Sequence, residues 1–137
     1  MNRKKKLLIW IGGALIVAVL IVIIFFGYVF YGYKAEDYLQ RRPFVSNEWK
    51  DEEAARKPPY PRLRMVDDLL GKEKLIGKTR KEVVVLLGEP KKTEYFSEYD
   101  LVYWLGPERN WISIDSEWLI MKLDSSDKVI ECALTTD

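Results

Sequence analysis

A run of 25 residues without a charged side chain, Leu7 to Tyr31, constrains this chain more than any other feature. A bilayer core of roughly 30 Å takes about 20 helical residues to cross. A cleaved signal peptide has an apolar region of about 7–15 residues that ends in small residues, whereas this run ends in Tyr-Val-Phe-Tyr. The remaining chain is too small to surround such a helix inside a soluble core. We therefore expect one uncleaved transmembrane helix over residues 7–33, with Trp10, Tyr28, Tyr31 and Tyr33 near the interfaces.

The basic residues indicate the orientation of this helix. Four of them, Arg3 to Lys6, stand immediately before the run, whereas those behind it are sparser and lie among Glu36 and Asp37. The positive-inside rule then predicts a cytoplasmic tail over residues 1–6 and an extracytoplasmic segment over residues 34–137. We expect a single-pass protein of a bacterial plasma (inner) membrane that contacts the lipid bilayer through residues 7–33.

Composition removes several classes of function. The 137-residue chain has no histidine and a single cysteine, so His-based zinc sites, Ser-His-Asp triads, Cys-His dyads and disulfide frameworks are excluded. Residues 7–137 carry 18 basic and 21 acidic side chains, a balance that argues against a nucleic-acid partner. Carboxylates such as Glu108, Asp115 and Glu117, or a dyad of Ser46 and Lys50, are weak candidates for catalysis. We expect no enzyme activity, no cofactor and no metal.

Four prolines interrupt the polar segment that follows the apolar run, residues 34–61. Residues 48–57 are compatible with one polar helix, and the KPPYP sequence at 57–61 favours a stiff, extended chain. A ligand for a proline-binding groove is the alternative, but the PxxP pattern is missing. We therefore interpret residues 34–61 as a charged, proline-rich stalk.

Two helices are predicted at the start of the segment 62–137. Apolar residues from Met65 to Leu70 recur at helical spacing, and Gly71 is a plausible end signal. A second helix is expected over about residues 80–87, because Thr79 and Glu82 have the spacing of a capping box. Val83, Leu86 and Leu87 form its buried stripe. Gly88 is expected to close this helix in the left-handed conformation, and Pro90 prevents its continuation.

Strands are predicted at residues 93–96, 101–105, 118–123 and 128–135, with the last two joined by a turn at 124–127. Leu119, Met121 and Leu123 share one face of their strand. Ile130, Cys132 and Leu134 share one face of the last strand, so Cys132 reads as a buried, inert thiol. The order of elements predicts the α+β class: one transmembrane helix, then a two-layer ααβββ(β) domain with an antiparallel sheet over residues 62–137.

The second helix and its flanks resemble the SmpA/OmlA (BamE-like) family, here behind a transmembrane helix instead of a lipoprotein signal. The resemblance covers about residues 62–137 and implies the ααβββ topology and a non-enzymatic envelope protein that works by contact. The residues that carry it are Leu75, Gly77, Thr79, Glu82, Val83, Leu86, Leu87, Gly88 and Pro90.

A candidate contact surface surrounds the long connection at residues 106–117. Trp104, Trp111 and Trp118 cluster in sequence with Arg109, and tryptophan and arginine are common interface anchors. The alternative is that Trp104 and Trp118 pack in or across the sheet. We expect a membrane-anchored interaction module that binds an envelope protein, with a possible role in envelope or membrane-protein assembly. The alternatives are an inhibitor-like or sensor domain that binds an envelope enzyme or ligand and, third, a peripheral enzyme.

Overall fold

The computed structural model describes residues 2–110 and 112–137 of the chain, which divides into two units, residues 1–39 and 40–137. The first unit is the helix α1, 37 residues from Arg3 to Leu39. None of the residues of α1 is buried, and the helix is long and apolar enough to cross a membrane. The long apolar helix is confirmed, and its passage through a membrane remains a prediction.

The described residues of the second unit form four helices and one antiparallel sheet of three strands, so the predicted α+β class is confirmed. The elements are α2 (Ser46–Trp49), α3 (Glu52–Ala55), α4 (Pro61–Lys72), α5 (Arg80–Leu87), β1 (Leu101–Pro107), β2 (Ser116–Leu123) and β3 (Val129–Thr136). The strands lie in the order β1-β2-β3, and α4 packs on β1.

One hydrophobic core joins both α4 and α5 to one face of the sheet. Along β1 and β2, buried leucines that face this core alternate with residues that face the other side of the sheet. Tyr103 lies in this core, and its hydroxyl donates a hydrogen bond of 2.8 Å to the carbonyl of Gly88. The fully buried members are Trp49, Met65, Val66, Leu69, Val83, Leu87, Leu101, Tyr103, Leu105, Leu119, Met121 and Val129.

The segment predicted as a stalk differs from a solvated spacer, because from residue 40 onward it belongs to the second unit. The Trp49 side chain is fully buried, and the guanidinium Nε of Arg62 donates to its main-chain carbonyl over 2.7 Å. Two short helices replace the single polar helix expected over 48–57. At KPPYP the chain turns, since the amide of Tyr60 donates to the carbonyl of Lys57. Residues 40–61 thus belong to the folded unit through the buried Trp49, although their composition is mostly polar.

The second predicted helix has the expected bounds, Arg80 to Leu87, and its capping box is present. The Thr79 amide donates to Glu82 Oε2 over 2.7 Å, and the Thr79 hydroxyl donates to the same oxygen. These two hydrogen bonds lower the pKa of Glu82. Gly88 has φ 82° and ψ 168°, so its φ is positive as expected, but it is not left-handed helical. In α4 the helix continues through Gly71 and ends at Lys72.

Two strand predictions were wrong. Residues 93–96 form no strand, and Phe96 adopts φ 54°, which the extended conformation does not allow. In β3, Leu123 pairs with Val129 and Lys122 with Glu131, which leaves Ile130 as the extra residue of a bulge. Val129 is consequently buried, while Ile130 is 56% exposed rather than inward-facing.

Candidate functional site

Arg109 is the first of the predicted anchors, and its guanidinium points into the domain. The connection between β1 and β2 covers residues 108–115, and it begins where the Glu108 amide donates to the Asp115 carbonyl over 2.9 Å. From this loop Arg109 donates through NH2 to Glu117 Oε1 and through NH1 to Asp67 Oδ2, each over 2.5 Å. Asp67 lies on α4, so the arginine joins the loop, β2 and α4.

The charges of this cluster balance once Arg41 is included, because its Nε also lies 3.3 Å from Asp67 Oδ2. Burial lowers the pKa of Arg109, but the hydrogen bonds and attraction from Glu117 and Asp67 outweigh it and raise the pKa overall. The Arg109 and Glu117 side chains are only 13% and 10% exposed. Removing one partner of such a pair leaves an uncompensated charge in a poorly solvated place. Arg109 is thus a brace of the loop, not the exposed side chain that an interface anchor requires.

Beyond this brace the loop exposes apolar side chains. Ile112 is 60% exposed and Ile114 is 82% exposed. Trp111, the best sequence-based candidate for binding, lies outside the described residues. The flanking isoleucines carried no distinctive motif, although the alternation in Asn-Trp-Ile-Ser-Ile is visible in the sequence. We use the term loop tip for Ile112 to Ile114.

Trp104 and Trp118 lie on the other face of the sheet. They are cross-strand partners, and together with Val102 and Ile120 they belong to a second apolar cluster. Trp118 is nearly buried, since Tyr95 stacks on it with ring centroids 5.3 Å apart. Of the predicted anchors that the structure describes, Arg109 is therefore not brought together with Trp104 and Trp118, because Glu117, its partner, and Trp118 are neighbours on β2 and so face opposite sides of the sheet.

A cleft of about 310 Å³ opens on this outer face. Its volume is at the lower end of the range of ligand pockets, about 300–1,000 Å³. Aromatic rings and cationic side chains dominate its lining, and we call it the aromatic–cationic cleft. Its main lining residues are Arg56, Lys91, Lys92, Tyr95, Trp104 and Trp118.

The charges in the cleft are only partly neutralised. Glu52 accepts from Arg62, and Lys91 Nζ lies 3.5 Å from Glu52 Oε2. Burial raises the pKa of Glu52, but the two cations outweigh it and lower that pKa overall. Arg56 lies 5.6 Å from the Trp104 ring. Within the described part of the chain, no carboxylate lies within 4 Å of Arg56 or Lys92. Sequence reasoning missed this site because α3 and the segment after α5 share no motif.

Two of the side chains considered for catalysis, Ser46 and Glu117, serve other contacts. Ser46 Oγ donates to the Leu86 carbonyl over 2.6 Å, which occupies the hydroxyl proposed for a dyad. Glu117 is paired with Arg109. Burial raises the pKa of the Cys132 thiol to about 11, so little thiolate forms near neutrality. Across residues 2–110 and 112–137, no group of three or more acidic or cysteine side chains is arranged to hold a metal ion.

Comparisons with family models, with curated proteins and with solved structures found no match to this chain.

Proposed function

We propose that this chain is a single-pass, membrane-anchored cell-envelope protein whose residues 40–137 form a non-catalytic protein-interaction module. The observation that carries the proposal is the loop tip, where Ile112 and Ile114 are exposed above a base that Arg109 braces. Function on loops held by a rigid scaffold is a common arrangement. We infer that a partner protein buries the loop tip on binding.

The energetics of the loop support a contact role. Burying an isoleucine side chain stabilises a complex by roughly 1.5–3 kcal/mol. The brace limits the ordering cost of binding, because Arg109 already joins the loop to β2 and to α4. The loop has eight residues between β1 and β2, whereas hairpin connections usually have about two to five. The extra length serves to present a surface.

The location that we propose rests on α1 and on the charges that flank it. An uncharged run of 25 residues behind four basic ones favours a bacterial plasma membrane, with the N-terminus in the cytoplasm and residues 40–137 outside. Within residues 62–137 we propose the two-layer SmpA/OmlA-like ααβββ arrangement. By that resemblance the contact serves envelope or membrane-protein assembly.

A photocrosslinking amino acid at position 114 of the full chain, in its native membrane, tests the proposal. We expect a defined envelope protein to be captured there and not from position 76, since Ile76 is also exposed, at 48%, but lies away from the loop. Changing Ile112 and Ile114 to serine should weaken capture by about tenfold or more. Ile76→Ser should not. Equal capture from both positions would contradict the proposal.

A further inference from the structure

The aromatic–cationic cleft carries a net positive charge, whereas the domain as a whole does not. Residues 40–137 carry 17 basic and 19 acidic side chains. Glu52 is engaged by Arg62 and Lys91, and Asp137, the second acidic residue of the lining, accepts from the Ser116 amide. The lining carries four cationic and two acidic side chains, and among the residues that the structure describes neither Arg56 nor Lys92 has an ion-pair partner. A local charge of this sign selects for negatively charged groups.

The main chain adds hydrogen-bond donors to the same wall. In the described structure the amides of Lys91, Lys92 and Thr93 donate to no other residue, and this segment is in neither helix nor strand. All three residues line the cleft, and both lysines are exposed. Unpaired main-chain amides next to cationic side chains suit carboxylates and peptide carbonyls alike.

The aromatic side chains of the cleft indicate which groups of a ligand would bind beside its negative charge. Tyr95 is 54% exposed although it stacks on Trp118. Trp104 is partly covered, by Tyr60 at 5.9 Å and by Arg56 at 5.6 Å from its ring. Exposed ring faces in a cleft favour aromatic or apolar side chains. Among the described residues that line the cleft, only Arg56 and Lys92 are cations without an ion-pair partner. A nucleic-acid strand usually engages more cations than two, because its binding neutralises a series of phosphates.

We propose that the aromatic–cationic cleft binds a short acidic peptide segment of a partner protein, with its carboxylates at Arg56 and Lys92 and an aromatic side chain at Tyr95 and Trp104. This inference rests on the proposed role as a contact module, but it uses a different surface from the loop tip. Acidic-motif recognition by clustered cations is an established mode of peptide binding.

The test is a titration of the purified full chain in nanodiscs with a capped peptide of alternating glutamate and phenylalanine, followed by tryptophan fluorescence. We expect saturable binding that weakens as salt screens the exposed charges. Lys92→Glu and Arg56→Glu should each weaken it by about tenfold or more. Lys74→Glu is the matched control, because Lys74 is exposed and does not line the cleft. A peptide with glutamine for glutamate should bind about tenfold more weakly.

Three outcomes would overturn the proposal: equal affinities of Lys92→Glu and Lys74→Glu, equal affinities of the glutamate and glutamine peptides, or tighter binding of a short oligothymidylate than of the peptide. The two proposals fail separately. Peptide binding without capture at position 114 contradicts only the loop tip, and capture at position 114 without peptide binding contradicts only the cleft.

Discussion

Arg109 and Glu117 meet across the base of the β1–β2 loop, with the guanidinium NH2 2.5 Å from carboxylate Oε1. Asp67 of α4 receives the other end of the same guanidinium. The pair lies on the face of the sheet that carries the main core, opposite Trp104 and Trp118. One ion cluster therefore couples the conformation of an exposed loop to the packing of a helix.

Arg109→Ala should destabilise the domain by roughly 3 kcal/mol, because Glu117 loses its ion-pair partner in a poorly solvated place, whereas Asp67 keeps Arg41 Nε at 3.3 Å. Denaturant unfolding monitored by circular dichroism provides the measurement. Lys74→Ala, at an exposed position, should change the unfolding free energy by less than about 0.5 kcal/mol. Equal midpoints for the two variants would show that the brace contributes nothing.

Acid should destabilise residues 40–137 through Glu52. Its folded-state pKa lies below the ordinary value of 4.5, because Arg62 and Lys91 outweigh the effect of burial. A lowered pKa contributes stability that is full above the unfolded-state pKa and is lost as the pH falls through the folded-state pKa. The unfolding free energy of Glu52→Gln should thus be lower at neutral pH and should fall less below pH 4.5. Parallel pH profiles for the two proteins would contradict this assignment.

Gly88→Val should destabilise the domain by more than about 1 kcal/mol, because a φ of 82° suits glycine and disfavours a β-branched residue. The added Cβ would also lie 3.3 Å from Lys50 Cγ. Gly71→Ala is the matched control. It lies inside α4 with no atom within 4 Å of an added Cβ, so it should stabilise by about 0.5–1 kcal/mol. Melting temperatures that are both higher, or both lower, than that of the parent chain would contradict this prediction.

Trp49→Ala should cost about 3–5 kcal/mol, the range for removing a fully buried large aromatic side chain. For the same reason, a fragment of residues 40–137 should unfold cooperatively, while a fragment of residues 62–137, which lacks Trp49, should be much less stable. Heat-capacity scans of the two fragments measure this difference. Equal melting temperatures would return residues 40–61 to the role of a spacer.

Protease added to spheroplasts should digest residues 40–137 and leave the α1 region in the membrane, if the four basic residues before α1 hold the N-terminus in the cytoplasm. Immunoblots with antibodies to each end of the chain follow the digestion. Lysed spheroplasts are the control for accessibility. A domain that is protected until lysis would reverse the orientation.

Local features were readable from the sequence because their signals lie within a few residues of one another. The charge-free run predicted α1, and the Thr79–Glu82 spacing predicted the start of α5. Aromatic and branched residues predicted β1, and alternating apolar residues predicted β2 and β3. A helix cap and a hairpin each satisfy their own backbone locally, so the sequence nearby is sufficient to indicate them.

Only the tertiary structure decided which residues meet across long sequence separations. Trp49 is buried because Arg62 and side chains of the core pack around it, although its segment is polar on average. The bulge at Ile130 reverses which side chains face inward at the start of β3. Arg109 contacts Asp67, which is 42 residues away in the sequence, and Arg56 lines the same cleft as Lys92. These pairings depend on packing geometry and on the balance of desolvation against ion pairing, and neither is encoded in a local pattern.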